Sequence, residues 1–358
     1  MTDRLVDPYD CVGFDLDGVI YRGPDGVPGA AEAIAELRRR GKKLGFVTNN
    51  AQRPPQAVVD HLNRLGVPAT VEDVVTSAQA EARLMAAELP PGAEVLIVGS
   101  RALADEIALV GLAPTFQRSP ATQAIVVGFE PGLTWEDFNQ GCYAVQQGAR
   151  YYACNDDQTR PTDQGIAIGM GGMLAAIERA LPGLTPPKAG KPFRPLMDET
   201  SRRLGAERMI FVGDRLDTDI EGAVTVGVDS LFVLSGSHGK HHLAAAGPTR
   251  RPTWLAWDVR GLVEPPRLAS VAGDESRCRA AVARVTAGRV VLDRRSGPDG
   301  HDAEEDQAFD RRPRPDVDDA KEAQADALWA VLTLLWDHAD RGAALDVADA
   351  LDGLTLVQ

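Results

Sequence analysis

Short apolar runs alternate with helically spaced segments over the first 260 or so residues, and the runs tend to end in a cluster of polar side chains. Residues 12–14 with Leu16, then 44–47, EVLIVGS, AIVVGF, ARYYACN, 209–212 and 229–236 have the continuous apolar character of strands buried on both faces. Between them, 30–40 places Ile34 and Leu37 on one face and stops at Gly41, and 54–65 and 77–89 read as further helices. Strand, helix and strand in succession predict a parallel α/β sheet with right-handed crossovers. The breaker Pro90-Pro91-Gly92 interrupts this series, and the pattern begins afresh from Ala93 to about residue 184 as an inserted α/β unit. The expected division is 1–91 and 188–263 as the two parts of one domain, 92–187 inserted between them, and 264–358 appended.

The appended region has a different texture. Residues 297–319 are rich in Asp, Arg and Pro and read as an exposed tether. Residues 320–340 then carry Leu328, Val331, Leu332, Leu335 and Trp336 as an apolar helical stripe. Such a stripe requires a covering surface: strands of the tail at 267–272 and 288–293, the inserted unit, or a second subunit, so a homodimer is one expected assembly. The tail offers no acid, base or metal cluster of its own, and is expected to support stability or assembly.

Composition narrows the function. The chain has 358 residues, 44% of them hydrophobic, enough for more than one sizeable core. A formal net charge of −14 argues against nucleic acid or an anionic membrane as a partner held by bulk attraction. No apolar run approaches a membrane span, and the first residues lack a basic segment followed by an apolar one, which predicts a cytoplasmic protein. Cys11, Cys142, Cys154 and Cys278 show no CxxC spacing and read as four reduced thiols.

The chemistry gathers at the strand ends. Asp15 and Asp17 flank one Leu where the first strand stops, and Gly18 frees the backbone to turn. Side chains two apart on an extended chain point the same way, so both carboxyls reach one space at the carboxyl end of the sheet, where ligands of such sheets collect. Two acids there can divide labour, one attacking or binding metal and one moving protons, or can be a solvated pair on a loop. Thr48, Asn49 and Asn50 end the next strand, where Thr48 can hydrogen-bond an anion near Asp15 or the three can form a plain turn. Asn155, Asp156 and Asp157 follow a strand of the inserted unit and precede a glycine-rich loop that opens a helix. Lys188 and Lys191 lie in a Pro-bounded loop before another helix, and Asp214, Asp217 and Asp219 follow the strand at 209–212. Mg²⁺ favours a few carboxylates plus water and phosphate oxygens, so Asp15 with Asp214 makes a plausible half-cage.

DLDGV, FVTNN, AGKP and VGDRLDTD, in this order over residues 10 to 260, resemble the haloacid dehalogenase superfamily of phosphatases. The TNN and GKP forms with a large α/β cap between them resemble the nitrophenylphosphatase-like class, which includes phosphoglycolate, glycerol-phosphate, pyridoxal-phosphate and nucleotide monophosphatases. The acidic chain with its extra C-terminal region is most similar to the actinobacterial glycerol-3-phosphate phosphatases. The resemblance implies a Rossmann-like parallel-sheet core, an inserted α/β cap and a Mg²⁺-dependent hydrolysis of a small phosphate monoester. It implies Asp15 as nucleophile, Asp17 as general acid and base, Thr48 as phosphate-binding hydroxyl and Lys191 as the lysine that steadies both. Metal binding is implied for Asp15, Asp214 and the backbone carbonyl of Asp17, with Asp219 behind them. Gly18, Asn49 and Asn50, with Asn155 and Asp157 from the cap, are the expected substrate contacts. Lys188 has no counterpart in the motif, and Ala51 stands where many relatives have Ser. Competing readings are transfer of the phosphoryl group to a second hydroxyl, as in a mutase, and an inactive scaffold acting through its tail.

Overall fold

The computed structural model describes residues 4–162, 164–293 and 317–357. Six parallel strands form the main sheet in the spatial order Trp254–Ala256, Asp229–Val233, Met209–Gly213, Cys11–Phe14, Lys43–Thr48, Val74–Thr76. The central strand Cys11–Phe14 is buried at every position, which explains its uninterrupted apolar run. From that strand the chain winds outward in one direction through 43–48 and 74–76. After the inserted segment it winds in the other, through 209–213, 229–233 and 254–256. The reversal leaves a crevice between the carboxyl ends of Cys11–Phe14 and Met209–Gly213, the topological switch point of an open α/β sheet. Asp15 and Asp214 are the residues that follow those two strands.

The intervening chain forms a separate parallel sheet in the order Ala113–Thr115, Glu94–Val98, Thr122–Val127, Arg150–Ala153. The segment expected as a polar, glycine-rich loop departs from that reading. Thr159–Thr162 and Gly165–Ile168 pair as an antiparallel hairpin before the helix Met170–Ala180. Ile166 and Ile168 are exposed on it, so no buried stripe marked these strands in the sequence. The edge strands Ala113–Thr115, Val74–Thr76 and Trp254–Ala256 also lay below the sequence signal, because three residues are too short to show a period.

Of the tail, two strands were expected, and four form among the described residues. Ala269–Ala272, Glu275–Cys278, Ala281–Thr286 and Arg289–Leu292 make an antiparallel meander. The helix Val317–Asp340 lies across it, three residues longer at its start than the apolar pattern indicated. Most of the tether expected at 297–319 lies outside the described residues. The apolar stripe is covered within the chain: Leu328, Val331, Leu332 and Trp336 share a core with Cys278, Ala283 and Val290 of the meander and with Leu216, Ile220, Phe232, Leu243 and Leu255 of the main domain. Among the described residues, no helix is long and apolar enough to cross a membrane.

Candidate active site

The switch point holds a dense group of charges. Asp15 donates its backbone N–H to Val212 O at 2.8 Å, which ties the first acidic loop to the neighbouring strand. Its side chain meets the Lys191 ammonium at 2.5 Å, and the same ammonium reaches Asp219 Oδ1 at 2.7 Å. Lys191 is 2% exposed and Asp214 and Asp219 are fully buried, so these charges are compensated by one another and not by water. Burial alone would lower the Lys191 ammonium, but the carboxylates of Asp15 and Asp219 outweigh it and hold it protonated.

Asp214 is held differently. Ser237 N–H donates to its Oδ2 at 2.5 Å, while its Oδ1 is buried with no hydrogen-bond partner. Gly18, at φ +85°, passes so close that an added Cβ would lie 2.6 Å from Asp214 Oδ2, and Gly236 packs against the same carboxyl. Oxygens of Asp15, Asp214 and Asp219 lie within 4.8 Å of one another. Burial, aided by Asp219, pushes the Asp214 carboxyl up to about 7, and burial likewise raises Asp15 well above the usual carboxylate range. An all-oxygen donor set with one orphaned acceptor, disfavoured as bare carboxylates, suits a small hard dication such as Mg²⁺.

A cavity of about 400 Å³ opens beside this cluster and is lined by Asp15, Asp17, Thr48, Asn49, Asn50, Asn155, Asp157 and Lys191 among others. Eight of the residues singled out in the sequence therefore converge on one space. Gly18, Asp214 and Asp219 lie behind it. Burial raises the Asp17 carboxyl, favouring the protonated form needed of an acid.

Within the cavity wall the residues fall into two groups. Thr48 and Asn50 belong to a turn: Asn50 N–H donates to Thr48 Oγ1 at 3.1 Å, and Asn50 Oδ1 accepts from Gln52 N–H at 2.8 Å. Asn49 is occupied with Lys191, accepting from its N–H at 2.8 Å and donating to its carbonyl at 3.0 Å, and it also donates to Asp157 Oδ1 at 2.9 Å. Asn155 Nδ2 donates to Asn49 O at 2.7 Å. Lys188 pairs with Asp156 away from the cluster, and Asp217 is taken up by Arg215 at 2.8 Å.

Sequence reasoning missed Tyr21, Arg53, His61, Phe129, Arg160 and Arg215, all of which line the cavity. Arg53 follows the Thr-Asn-Asn turn by three residues, a basic residue at a helix entrance that could have been weighed as Lys191 was. Arg160 stacks over the Phe129 ring at 4.7 Å, a contact between distant segments that no local pattern announces.

Comparison with known proteins supplies the family. A family model described as haloacid dehalogenase-like hydrolase matches residues 12–113, and a second HAD-hydrolase-like model matches residues 188–262. The chain is 44% identical over 268 residues to the D-glycerol 3-phosphate phosphatase of Mycobacterium tuberculosis, covering 75% of each protein. It is 35% identical over 231 residues to the 5′-nucleotidase YutF of Bacillus subtilis, covering 64% of this chain and 88% of that one. A crystal structure of a glycerol phosphate phosphatase from M. tuberculosis in complex with magnesium superposes with a TM-score of 0.80 at 33% identity, covering 99% of this chain and 100% of that one. With the acidic cluster at the switch point and these relatives together, the chain belongs to the haloacid dehalogenase-like hydrolases.

Proposed function

We propose that this protein is a Mg²⁺-dependent phosphatase that hydrolyses a small phosphate monoester, glycerol 3-phosphate, to glycerol and inorganic phosphate. The observation that carries the reading is the Asp15–Lys191–Asp219 chain of ion pairs beside an Asp214 oxygen that has no partner. That arrangement leaves a reactive carboxylate at the cavity and an acceptor free for a cation. The substrate follows from the similarity to the D-glycerol 3-phosphate phosphatase.

In this reading Asp15 attacks phosphorus, the bond from phosphorus to the ester oxygen breaks, and an aspartyl phosphate forms. Asp17 gives its proton to the departing alkoxide, a step typically worth about 10²- to 10⁴-fold for a poor leaving group. Asp17 then takes a proton from the water that attacks the aspartyl phosphate, and cleavage of its acyl phosphate linkage returns Asp15 and releases phosphate. Lys191 holds Asp15 in place and offsets charge on the transferring group, and the Thr48 hydroxyl donates to a phosphate oxygen. Asp15, Asp214 and the carbonyl of Asp17 would hold Mg²⁺, which when bound would offset charge on the phosphoryl oxygens. Asp219 stands behind, fixing Lys191. Gly18 lets the first loop pass against Asp214, Asn49 and Asn155 order the wall, and Asn50 and Asp157 face the substrate. Residues 1–91 and 188–263 form the catalytic domain, 92–187 the cap that closes over the leaving group, and 264–358 an appendage. The protein works in the cytoplasm, where its four buried cysteines remain free thiols.

Similarity to a 5′-nucleotidase favours one second reading, a nucleoside monophosphate as substrate. Inorganic phosphate release from a panel of phosphate monoesters, ranked by kcat/KM with Mg²⁺ and with excess chelator, decides between them. Glycerol 3-phosphate leading the panel and loss of activity on chelation are expected. A nucleotide in first place would replace the substrate, and undiminished activity in chelator would remove the metal from the reading.

A further inference from the structure

Glu81 is a fully buried carboxyl that the proposed mechanism does not use. It lies on the helix Ser77–Glu88, whose buried face is otherwise small or apolar: Ser77, Ala78, Ala80, Ala82 and Met85. Thr76 and Gln79 cap that helix reciprocally, with hydrogen bonds of 3.2 and 3.1 Å, so the backbone around Glu81 is anchored. Alanines on this face let other backbone segments approach closely, and one does. Ala189 N–H donates to Glu81 Oε2 at 2.8 Å, while Glu81 Oε1 is buried with no partner.

Ala189 stands two residues before Lys191, on the segment returning from the four-stranded sheet to the six-stranded one. That return is stitched on its other side: Gly190 N–H donates to Cys154 O at 2.7 Å, and Ala153 N–H donates to Pro187 O at 3.2 Å. Lys191 itself is gripped at both its N–H and its carbonyl by Asn49. The Asn49 carbonyl in turn accepts from Ser77 Oγ at 2.6 Å, on the same helix as Glu81. A buried carboxyl with one oxygen orphaned is costly, and an apolar side chain there would avoid the cost but leave the Ala189 N–H without an acceptor.

We infer that Glu81 is a positioning residue for Lys191: its carboxyl oxygen fixes the Ala189 amide and so sets where the lysine loop crosses the active site. The inference rests on the proposed role of Lys191. The helix Ser77–Glu88 then serves the site from behind at two points, Ser77 through Asn49 and Glu81 through Ala189. The Lys191 ammonium has two carboxylate partners at 2.5 and 2.7 Å, so a small shift of its backbone is felt at the nucleophile.

The test compares Glu81→Gln and Glu81→Met in the full-length protein with Mg²⁺, on p-nitrophenyl phosphate and glycerol 3-phosphate. Gln retains an oxygen acceptor for the Ala189 N–H, whereas Met fills the space without one. Glu81→Met is expected to lower kcat roughly 10- to 100-fold, the scale of a reacting group displaced by about an ångström, with KM nearly unchanged. Glu81→Gln is expected to restore kcat close to wild type. Wild-type kcat in Glu81→Met would overturn the inference, and so would a loss in Glu81→Gln as large as in Glu81→Met, since the charge or proton would then matter and not the acceptor. If Glu81→Met does not fold, hydrogen exchange at the Ala189 amide of the wild-type protein reads the same bond. Protection as deep as that of the central strand supports it, and exchange at loop rates overturns it. Lys191→Met separates this inference from the site reading: full turnover there removes both, whereas turnover lost there but kept in Glu81→Met removes the positioning role alone.

Discussion

Among the described residues, the buried ion cluster at the switch point and the one in the tail differ in what they leave unsatisfied. At the switch point, Asp15, Lys191, Asp214 and Asp219 crowd together, and one Asp214 oxygen has no partner. In the tail, Arg267 is equally buried at 4% side-chain exposure, but its donors are engaged: Nε with Asp326 at 2.6 Å, one terminal nitrogen with Leu255 O at 2.9 Å and the other with Glu322. A buried ion group whose hydrogen-bonding capacity is used up internally holds structure together. At the switch point the spare Asp214 oxygen has carboxylate oxygens of Asp15 and Asp219 within 4.8 Å, a set to which a cation can be added. Burial and charge alone do not distinguish the two, and the count of satisfied atoms does.

The comparison can be broken at either cluster. The largest effect belongs to Asp15→Asn, which retains shape but removes the charge proposed to attack phosphorus. Turnover is expected to fall by about 10⁴-fold or more, the scale on which losing a nucleophile is felt, with the thermal unfolding curve little changed. Well-folded Asp15→Asn protein that still turns over would place the chemistry elsewhere. Next in size is Arg267→Leu, which removes the buried partner of Asp326 and one partner of the partly exposed Glu322, leaving Arg279 as their neighbour at 3.3 and 3.7 Å. Urea unfolding should show a loss of about 3–5 kcal/mol while kcat per folded molecule stays at the wild-type value. A fall in kcat without a loss of stability would mean that the two clusters are not separate in function.

Asp214→Asn sharpens the contrast at the switch point. Replacing one carboxylate oxygen by an amide nitrogen should weaken Mg²⁺ binding, read by calorimetric titration, by about 10- to 100-fold, while the unliganded protein unfolds at the same or a higher temperature because a buried charge has gone. A cation affinity equal to wild type would show that the spare oxygen serves no metal.

The smallest effect is a pH limb from a third, satisfied carboxylate. Glu199 is buried, which by itself would raise it, but hydrogen bonds from Arg202 and Arg203 and the nearby Arg83 hold its carboxyl below the ordinary value of 4.5. Its folded-state value is depressed, so its contribution is fully present above the unfolded value and is lost as pH falls through the folded one. Glu199→Gln should be less stable than wild type at neutral pH, and the gap should close in acid. A gap that persists unchanged at low pH would assign the effect to packing instead of charge.

Much of this was legible along the chain because the signals are local. The strand Cys11–Phe14 announces itself as an apolar run that stops at Asp15, and the acid at its end follows from the one-residue accuracy of that stop. Lys43–Thr48 and Met209–Gly213 declare Thr48 and Asp214 in the same way. The ordered motifs singled out Asp15, Lys191, Asp214 and Asp219, which the fold brings together, since each sits at a fixed offset from a strand end or helix start. The four-strand meander was half seen, because Glu275–Cys278 and Ala281–Thr286 mix buried and exposed positions with charged residues that blur the period.

What the tertiary structure alone decided is how residues far apart in the chain share their hydrogen bonds. Nothing local tells that Asn49 is committed to the backbone of Lys191, that Glu81 on an alanine-rich helix takes the Ala189 amide, or that Arg160 faces the same cavity as Arg53. Nor does the apolar stripe of the last long helix reveal that part of its cover comes from Leu216 and Ile220, inside the very turn that carries Asp219. Residue type and spacing determine which elements form and where each strand ends, because those depend on neighbours in sequence. Which donor meets which acceptor across a crossover is set only when sheets and helices pack, because an unpaired polar group acquires its cost once water has been excluded.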